Sequence, residues 1–308
     1  MQTSFEGTWV PIISPFTGDD VDHAALTRLA QHFQASGIAG LVVGATTGEG
    51  ALLRPGEQEA MFATLRTAVP GMPIVLGLSQ SATQAAVEQS RRFAAQAPDG
   101  LLVTAPTYVR PTQDGIRRHF EAIVEAADLP VLAYNIPYRT GVNIEIDTLQ
   151  ALARDTRVVG IKECGGSVER LFRLIHETPL RVLSGDDGMN FVALCLGAHG
   201  TIAASAHIAP ELHVRMGRLI REGALDTARQ LAVALQPIVR DLFVEPNPAP
   251  LKALLAHQRW CANTLRLPFV PASAGLAQRL DNDWRALGAA YPACLTPSAG
   301  GALVSSPS

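Results

Sequence analysis

The sequence predicts an α/β chain folded as a (βα)8 barrel with a helical C-terminal appendage. Three features of the text carry that expectation. Short apolar runs recur over the first 208 residues, amphipathic segments separate them, and from residue 210 onward only helical patterns remain. Alternation of this kind is the signature of a parallel sheet with helices packed on it.

The runs, in order, are Thr8–Ile13, Ile38–Gly44, Pro73–Leu78, Gly100–Thr104, Pro130–Tyr134, Val158–Ile161, Arg181–Leu183 and Gly200–Ala203. None alternates apolar with polar residues, as expected of parallel strands buried on both faces. Helical patterns follow at Asp22–Ala35, Arg54–Ala68, Ala82–Ala95, Asp114–Ala126, Asp147–Arg154, Ser167–Glu177 and Asp187–Leu196. Pro55 suits a first helical turn, and the SGDDG stretch at 184–188 suits a helix start. A doubly wound open sheet is the competing architecture. Its first strand is usually followed by a glycine-rich phosphate loop, and here it leads into SPFTGDD. Pro210–Arg221, Ala224–Phe243, Pro250–Asn263 and Ala274–Leu287 read as further helices. The expected division is a barrel over 1–208, a helical region over 209–288, and a disordered Pro/Ser/Gly-rich tail over 289–308.

Composition narrows the function. The 308 residues are 47% hydrophobic, which suits a sizeable core. The net charge is 25 − 28 = −3, so no basic face is offered to nucleic acid. Cys164, Cys195, Cys261 and Cys294 show neither zinc-ligand nor disulfide spacing and fit a reduced cytoplasmic protein. Neither a signal-peptide pattern nor an apolar stretch of about 18 residues is present, so no membrane association is expected. Only two of the 25 cationic residues are lysines, Lys162 and Lys252.

In such a barrel the chemistry projects from the C-terminal strand ends. There the sequence places Thr46-Thr47-Gly48-Glu49-Gly50, Thr107-Tyr108, Tyr134 with Arg139 beyond, Lys162-Glu163, and Gly185-Asp186-Asp187. A lysine projecting into an apolar barrel has a depressed pKa and a nucleophilic neutral fraction, as Schiff-base chemistry requires. The competing role for Lys162 is a structural ion pair with Glu163. Tyr134 suits proton transfer or a core hydroxyl, and Arg139 suits carboxylate binding. The threonine-bearing loop lacks the Gly-Lys-Ser/Thr ending of a P-loop and suits a carboxylate better than a phosphate. Asp186 and Asp187 read as helix caps rather than metal ligands. Lys252, within a helical pattern, suits a surface or capping role.

Five segments in order, GATTGEG at 44–50, YNIPYRTG at 134–141, VVGIKE at 158–163, LSGDD at 183–187 and LFVEPNPAPLK at 242–252, resemble the 4-hydroxy-tetrahydrodipicolinate (dihydrodipicolinate) synthase family. That family belongs to the class I aldolase superfamily, which also holds N-acetylneuraminate lyase. The resemblance implies a TIM barrel in which Lys162 forms a Schiff base with pyruvate and the enamine attacks aspartate-4-semialdehyde. It implies that Thr46 and Thr47 hold the pyruvate carboxylate and that Tyr134 relays protons with Thr46 and Tyr108. It further implies that Arg139 binds the aldehyde's carboxylate and that Gly185 and Ile202 present backbone carbonyls. Neither metal nor organic cofactor is implied. Tyr108 would reach into a neighbouring subunit, so a homodimer or homotetramer is expected. Thr107 and Gly50 depart from the family pattern, which leaves open another pyruvate-dependent aldolase or dehydratase, or a non-catalytic keto-acid binder. Gly50, Pro55, Gln58, Ser81, Ala85 and Thr107 offer little to grip an ammonium, so weak or absent lysine feedback is expected.

Overall fold

The computed structural model describes residues 3–292. Strand β1 (Gly7–Pro11) is followed by a small antiparallel ribbon of β2 (Phe16–Thr17) and β3 (Asp20–Val21). Then come β4 (Gly40–Val43), β5 (Ile74–Leu78), β6 (Gly100–Thr104), β7 (Val131–Asn135), β8 (Val158–Glu163), β9 (Arg181–Ser184) and β10 (Gly200–Ile202). Apart from the ribbon, these strands are parallel and close into a barrel in the order β1-β10-β9-β8-β7-β6-β5-β4. The eight expected strands are all present, with ends shifted by at most two residues.

The helices are α1 (His23–Ala35), α2 (Glu57–Ala68), α3 (Thr83–Ala94), α4 (Gln113–Ala127), the short α5 (Pro137–Thr140), α6 (Ile146–Leu152), α7 (Val168–Glu177) and α8 (Asn190–Cys195). They continue with α9 (Pro210–Arg221), α10 (Leu225–Asp241), α11 (Ala249–His257) and α12 (Ala274–Ala290). Several start on side-chain caps that satisfy otherwise unpaired amide groups. Asp22 accepts from Ala25 N at 2.8 Å, Thr112 from Gly115 N at 3.3 Å and Ser167 from Arg170 N at 3.2 Å. Pro55 does not open α2. Gly56, at φ +86°, breaks the path after it, and the helix begins at Glu57.

The strands are apolar at consecutive positions because each serves two cores. Val42, Val75, Leu102, Leu132 and Leu183 fill the barrel interior with Trp9 and Ile202. Their neighbours Val43, Leu76, Val103, Ala133 and Val182 face the helices and pack with Phe33, Phe62 and Phe120. Trp9 occupies the bottom of the barrel, where Gly40 makes room for its indole. Helix α9, expected with the C-terminal helices, packs against β1 and α8 and takes the eighth place in the outer ring. Helix α10 lies on α9 and α12, and α11 packs on α12. Of the expected tail, residues 289 and 290 form the end of α12, and residues 293–308 lie outside the described residues.

Candidate active site

Strand pairing sets the site. The β7–β8 register puts Tyr134 opposite Lys162 and Asn135 opposite Glu163. Side chains alternate across a strand, so Ile161 faces the helices while Lys162 enters the barrel. The lysine is only 4% exposed, and its Nζ lies 4.3 Å from the centre of the Tyr134 ring. Burial lowers its pKa from the ordinary lysine value, partly countered by Cys164 and Asp187. Among the described residues no carboxylate forms an ion pair with it.

Glu163, the alternative partner for Lys162, is committed elsewhere. It pairs with Arg170 Nε at 3.1 Å and accepts from Asn135 Nδ2 at 2.9 Å and from Gly165 N at 2.6 Å. Asn135 Oδ1 accepts from Ile144 N at 3.0 Å, and Arg170 Nη2 donates to Ile144 O at 2.6 Å. These contacts tie the segment carrying Arg139 back to β7 and β8.

Tyr134 is buried, with the Thr46 and Cys164 side chains neighbouring its hydroxyl. Burial raises its pKa well above the ordinary phenol value, with the Cys164 and Tyr138 charges acting the same way. Cys164 is pushed up to about 12, again chiefly by burial, so at neutral pH it is a thiol. Thr46, Tyr134 and Arg139 line one cavity of ≈ 230 Å³. Arg139 also borders a second cavity of ≈ 440 Å³, lined by Cys164, Gly185, Asp187 and Asn247.

The threonine loop is folded on itself. Glu49 N donates to Thr46 O at 3.1 Å and Gly50 N to Ala45 O at 3.1 Å. A Cβ on Gly50 would run into the Gly44 carbonyl oxygen, so this tight closure requires glycine there. Among the described residues, the N–H groups of Thr46 and Thr47 find no protein acceptor. Thr47 Oγ1 accepts from Asn247 Nδ2 at 3.0 Å. Gly185 is equally constrained, because a Cβ there would enter the Lys162 stem. Ile202 is buried in the interior cluster with Tyr134 and Leu183.

Tyr108 is not brought to this cavity. It is 94% exposed, at φ +70°, and does not line the cavity. Asp186 accepts from Gly188 N at 3.2 Å and caps a turn, as expected. Asp187 does not cap the next helix. It is buried, accepts from Ser205 N at 2.6 Å, and has its pKa raised by that burial. Among the described residues no cluster of three His, Cys, Asp or Glu side chains could hold a metal.

Lys252 departs most from expectation. It is fully buried rather than on the surface, and its ammonium bonds Glu49. Asn247 and the Asn135 and Arg170 partners of Glu163 also escaped the sequence reading. Asn247 and Asn135 fall in the quoted LFVEPNPAPLK and YNIPYRTG segments, whereas Arg170 falls in none.

Comparison with known proteins extends the likeness over nearly the whole chain. The pattern of the Dihydrodipicolinate synthetase family matches residues 4–286. A 4-hydroxy-tetrahydrodipicolinate synthase of Syntrophobacter fumaroxidans is 37% identical over 288 residues, covering 92% of this chain and 99% of that one. The solved 4-hydroxy-tetrahydrodipicolinate synthase of Methylacidiphilum fumariolicum SolV superimposes with TM-score 0.91 at 35% identity, covering 94% and 98%. Another solved relative, described as the first monomeric dihydrodipicolinate synthase variant, gives TM-score 0.90 at 32% identity, covering 92% and 97%. No described helix is long and apolar enough to cross a membrane. A closed eight-stranded barrel with a buried lysine at the end of its sixth barrel strand, matched along its length by these relatives, belongs to the dihydrodipicolinate synthetase family.

Proposed function

We propose that Lys162 is the Schiff-base lysine of a 4-hydroxy-tetrahydrodipicolinate synthase that condenses pyruvate with L-aspartate-4-semialdehyde. The observation that carries this reading is a buried amine, free of any carboxylate partner among the described residues, set against the Tyr134 ring. Its lowered pKa leaves part of the population neutral and able to attack a ketone.

The amine adds to C2 of pyruvate, and the resulting carbinolamine loses water to give the imine. Loss of a C3 proton gives the enamine, whose C3 attacks the aldehyde carbon. The amino group of the second substrate then attacks the imine carbon and displaces the Lys162 amine, closing the ring. Each stage moves a proton, and the neighbouring Tyr134 and Thr46 hydroxyls carry it. The free N–H groups and hydroxyls of Thr46 and Thr47 receive the pyruvate carboxylate. Arg139 receives the carboxylate of the aldehyde. Gly185 keeps the space beside Lys162 open, and on this reading the Gly185 and Ile202 carbonyl groups are the ones that face the substrate.

Tyr108 completes the relay in a second copy of the chain, so the working unit is at least a homodimer, and a homotetramer is a dimer of such pairs. Its near-complete exposure supports this reading. The enzyme is cytoplasmic and reads no nucleic acid. The catalytic unit is the barrel of residues 1–208 together with α9, and α10–α12 form a helical appendage braced against it.

Borohydride reduction in the presence of pyruvate tests the assignment. The intact mass rises by one reduced pyruvate adduct in the wild type and not in Lys162→Ala. An adduct surviving Lys162→Ala refutes it. Assay with aspartate semialdehyde against a panel of 2-keto-3-deoxy acids fixes the second substrate.

A further inference from the structure

The reaction leaves the second lysine without a task. Lys252 donates to Glu49 Oε1 and, at 2.9 Å, to Thr264 O. Its Nζ sits 4.2 Å from the centre of the Phe16 ring, and Arg266 lies 4.4 Å from the same ring. Glu49 Oε2 accepts from Arg266 N at 3.1 Å. The carboxylate is therefore gripped from two sides inside the protein.

Glu49 is also the residue that ends the threonine loop, and its backbone sits at φ +51°. That left-handed conformation is unfavourable for a residue with a Cβ and persists only where neighbours hold it. The hold comes from α11. Asn247, two residues before the helix, bonds Thr47 Oγ1, and Lys252, near the helix start, bonds Glu49. One short helix thus grips the loop at both its second threonine and its final residue. Because Thr47 Oγ1 accepts from Asn247, its single O–H remains free to donate to a ligand. A buried ion pair is a poor stabilising device compared with apolar packing, so its value lies in geometry.

We propose that Asn247 and Lys252 are positioning residues that hold the Thr46–Glu49 loop in the shape that receives the pyruvate carboxylate. This rests on the Schiff-base reading above. Lys252 lines neither cavity, and Asn247, at the edge of the second, reaches the loop through Thr47 Oγ1. Each acts through the loop.

The test uses the full chain as wild type, as the charge-neutral double variant Glu49→Gln/Lys252→Met, and as Asn247→Ala. The double variant is needed because either single change strands a buried charge. The half-saturating pyruvate concentration is read from borohydride trapping by intact mass, and both KM values from turnover. Loop misplacement below 1 Å raises half-saturating pyruvate about tenfold in both variants. In the double variant the aldehyde KM stays within about twofold, because Arg139 is anchored on a separate segment that those two changes do not touch.

Wild-type protein that traps pyruvate, with variants trapping at the same concentration, overturns the brace alone. Equal rises in both KM values, with a lowered melting temperature, also overturn it by reducing the contacts to general stability. Wild-type protein that traps nothing overturns the Schiff-base reading, and the brace with it. Should the double variant fail to fold, Asn247→Ala, which removes one hydrogen bond and no charge, decides the question.

Discussion

Replacing Gly185 by alanine adds one methyl group at the most crowded point of the site. An ideal Cβ there would lie 2.5 Å from Cys164 Sγ and 2.7 Å from Lys162 Cγ. Comfortable separations are about 3.5–4.0 Å, so the lysine stem or the Gly185 backbone must give way by about 1 Å. The backbone is the stiffer of the two, because Gly185 N is pinned to Glu163 O at 2.8 Å. Lys162 therefore moves. Overpacking of this kind costs about 1–3 kcal/mol of stability. A 1 Å displacement of a reacting group costs on the order of a hundredfold in rate. Gly185→Ala is expected to stay folded, to unfold at modestly lower denaturant, and to lose about two orders of magnitude in kcat/KM for pyruvate. Adding Cys164→Ala removes one of the three colliding atoms, the other two being Cγ and Cε of Lys162, and restores part of the rate. A coupled turnover assay with chemical denaturation reads both effects. A Gly185→Ala enzyme within about threefold of wild-type kcat/KM would refute the placement of Lys162 against Gly185.

Acid lowers stability through buried histidines. His119, His207 and His213 are each lowered to about 4 by burial, against an ordinary 6.5. Unfolding lets them take protons below pH 6.5, so stability is full above that value and falls as pH drops toward 4. Each contributes up to about 3 kcal/mol of loss, and denaturation curves superimposing at pH 7 and pH 4.5 contradict this. Arg170→Ala strands the buried Glu163 carboxylate, with an expected loss of about 3–5 kcal/mol. It also loosens Ile144, so the aldehyde KM rises more than the pyruvate KM. An unchanged ratio of the two refutes that link. Gln58→Leu leaves the Val43 and Gly77 carbonyls without their shared amide donor, at about 1–3 kcal/mol each, and a melting point equal to wild type contradicts it. Gln58 is spent on those carbonyls, and the Ser81 and Thr107 hydroxyls bond each other at 2.9 Å. Turnover is therefore expected to be insensitive to lysine, and strong inhibition at sub-millimolar lysine contradicts this.

The barrel strands were legible because burial on two faces leaves an unbroken apolar run, as in Leu41-Val42-Val43. Lys162 was legible for the same reason, since a cation closing such a run must enter the barrel. The ribbon at Phe16–Thr17 and Asp20–Val21 was not, because two-residue strands carry no periodicity. Lys252 was misread on its helical pattern. The better signal was the near-complete apolarity of Ala249–Leu255, which marks a helix buried all round. Asp187 looked like a cap beside Asp186, yet its partner is Ser205 N, 18 residues on. Asn247 is 200 residues from Thr47, and no local pattern encodes a contact of that span. What local chemistry dictates could be read. What only the closed barrel brings together could not.

The Thr46–Glu49 loop leaves the ribosome long before its anchors, since Asn247 and Lys252 follow Thr47 and Glu49 by 200 and 203 residues. A nascent chain already holding Thr46, Tyr134, Arg139 and Lys162 still lacks the two side chains that hold that loop. The loop's final shape thus arrives only with the C-terminal helices, and a chain cut short before Lys252 would carry Lys162 and Tyr134 beside a loop without that anchor.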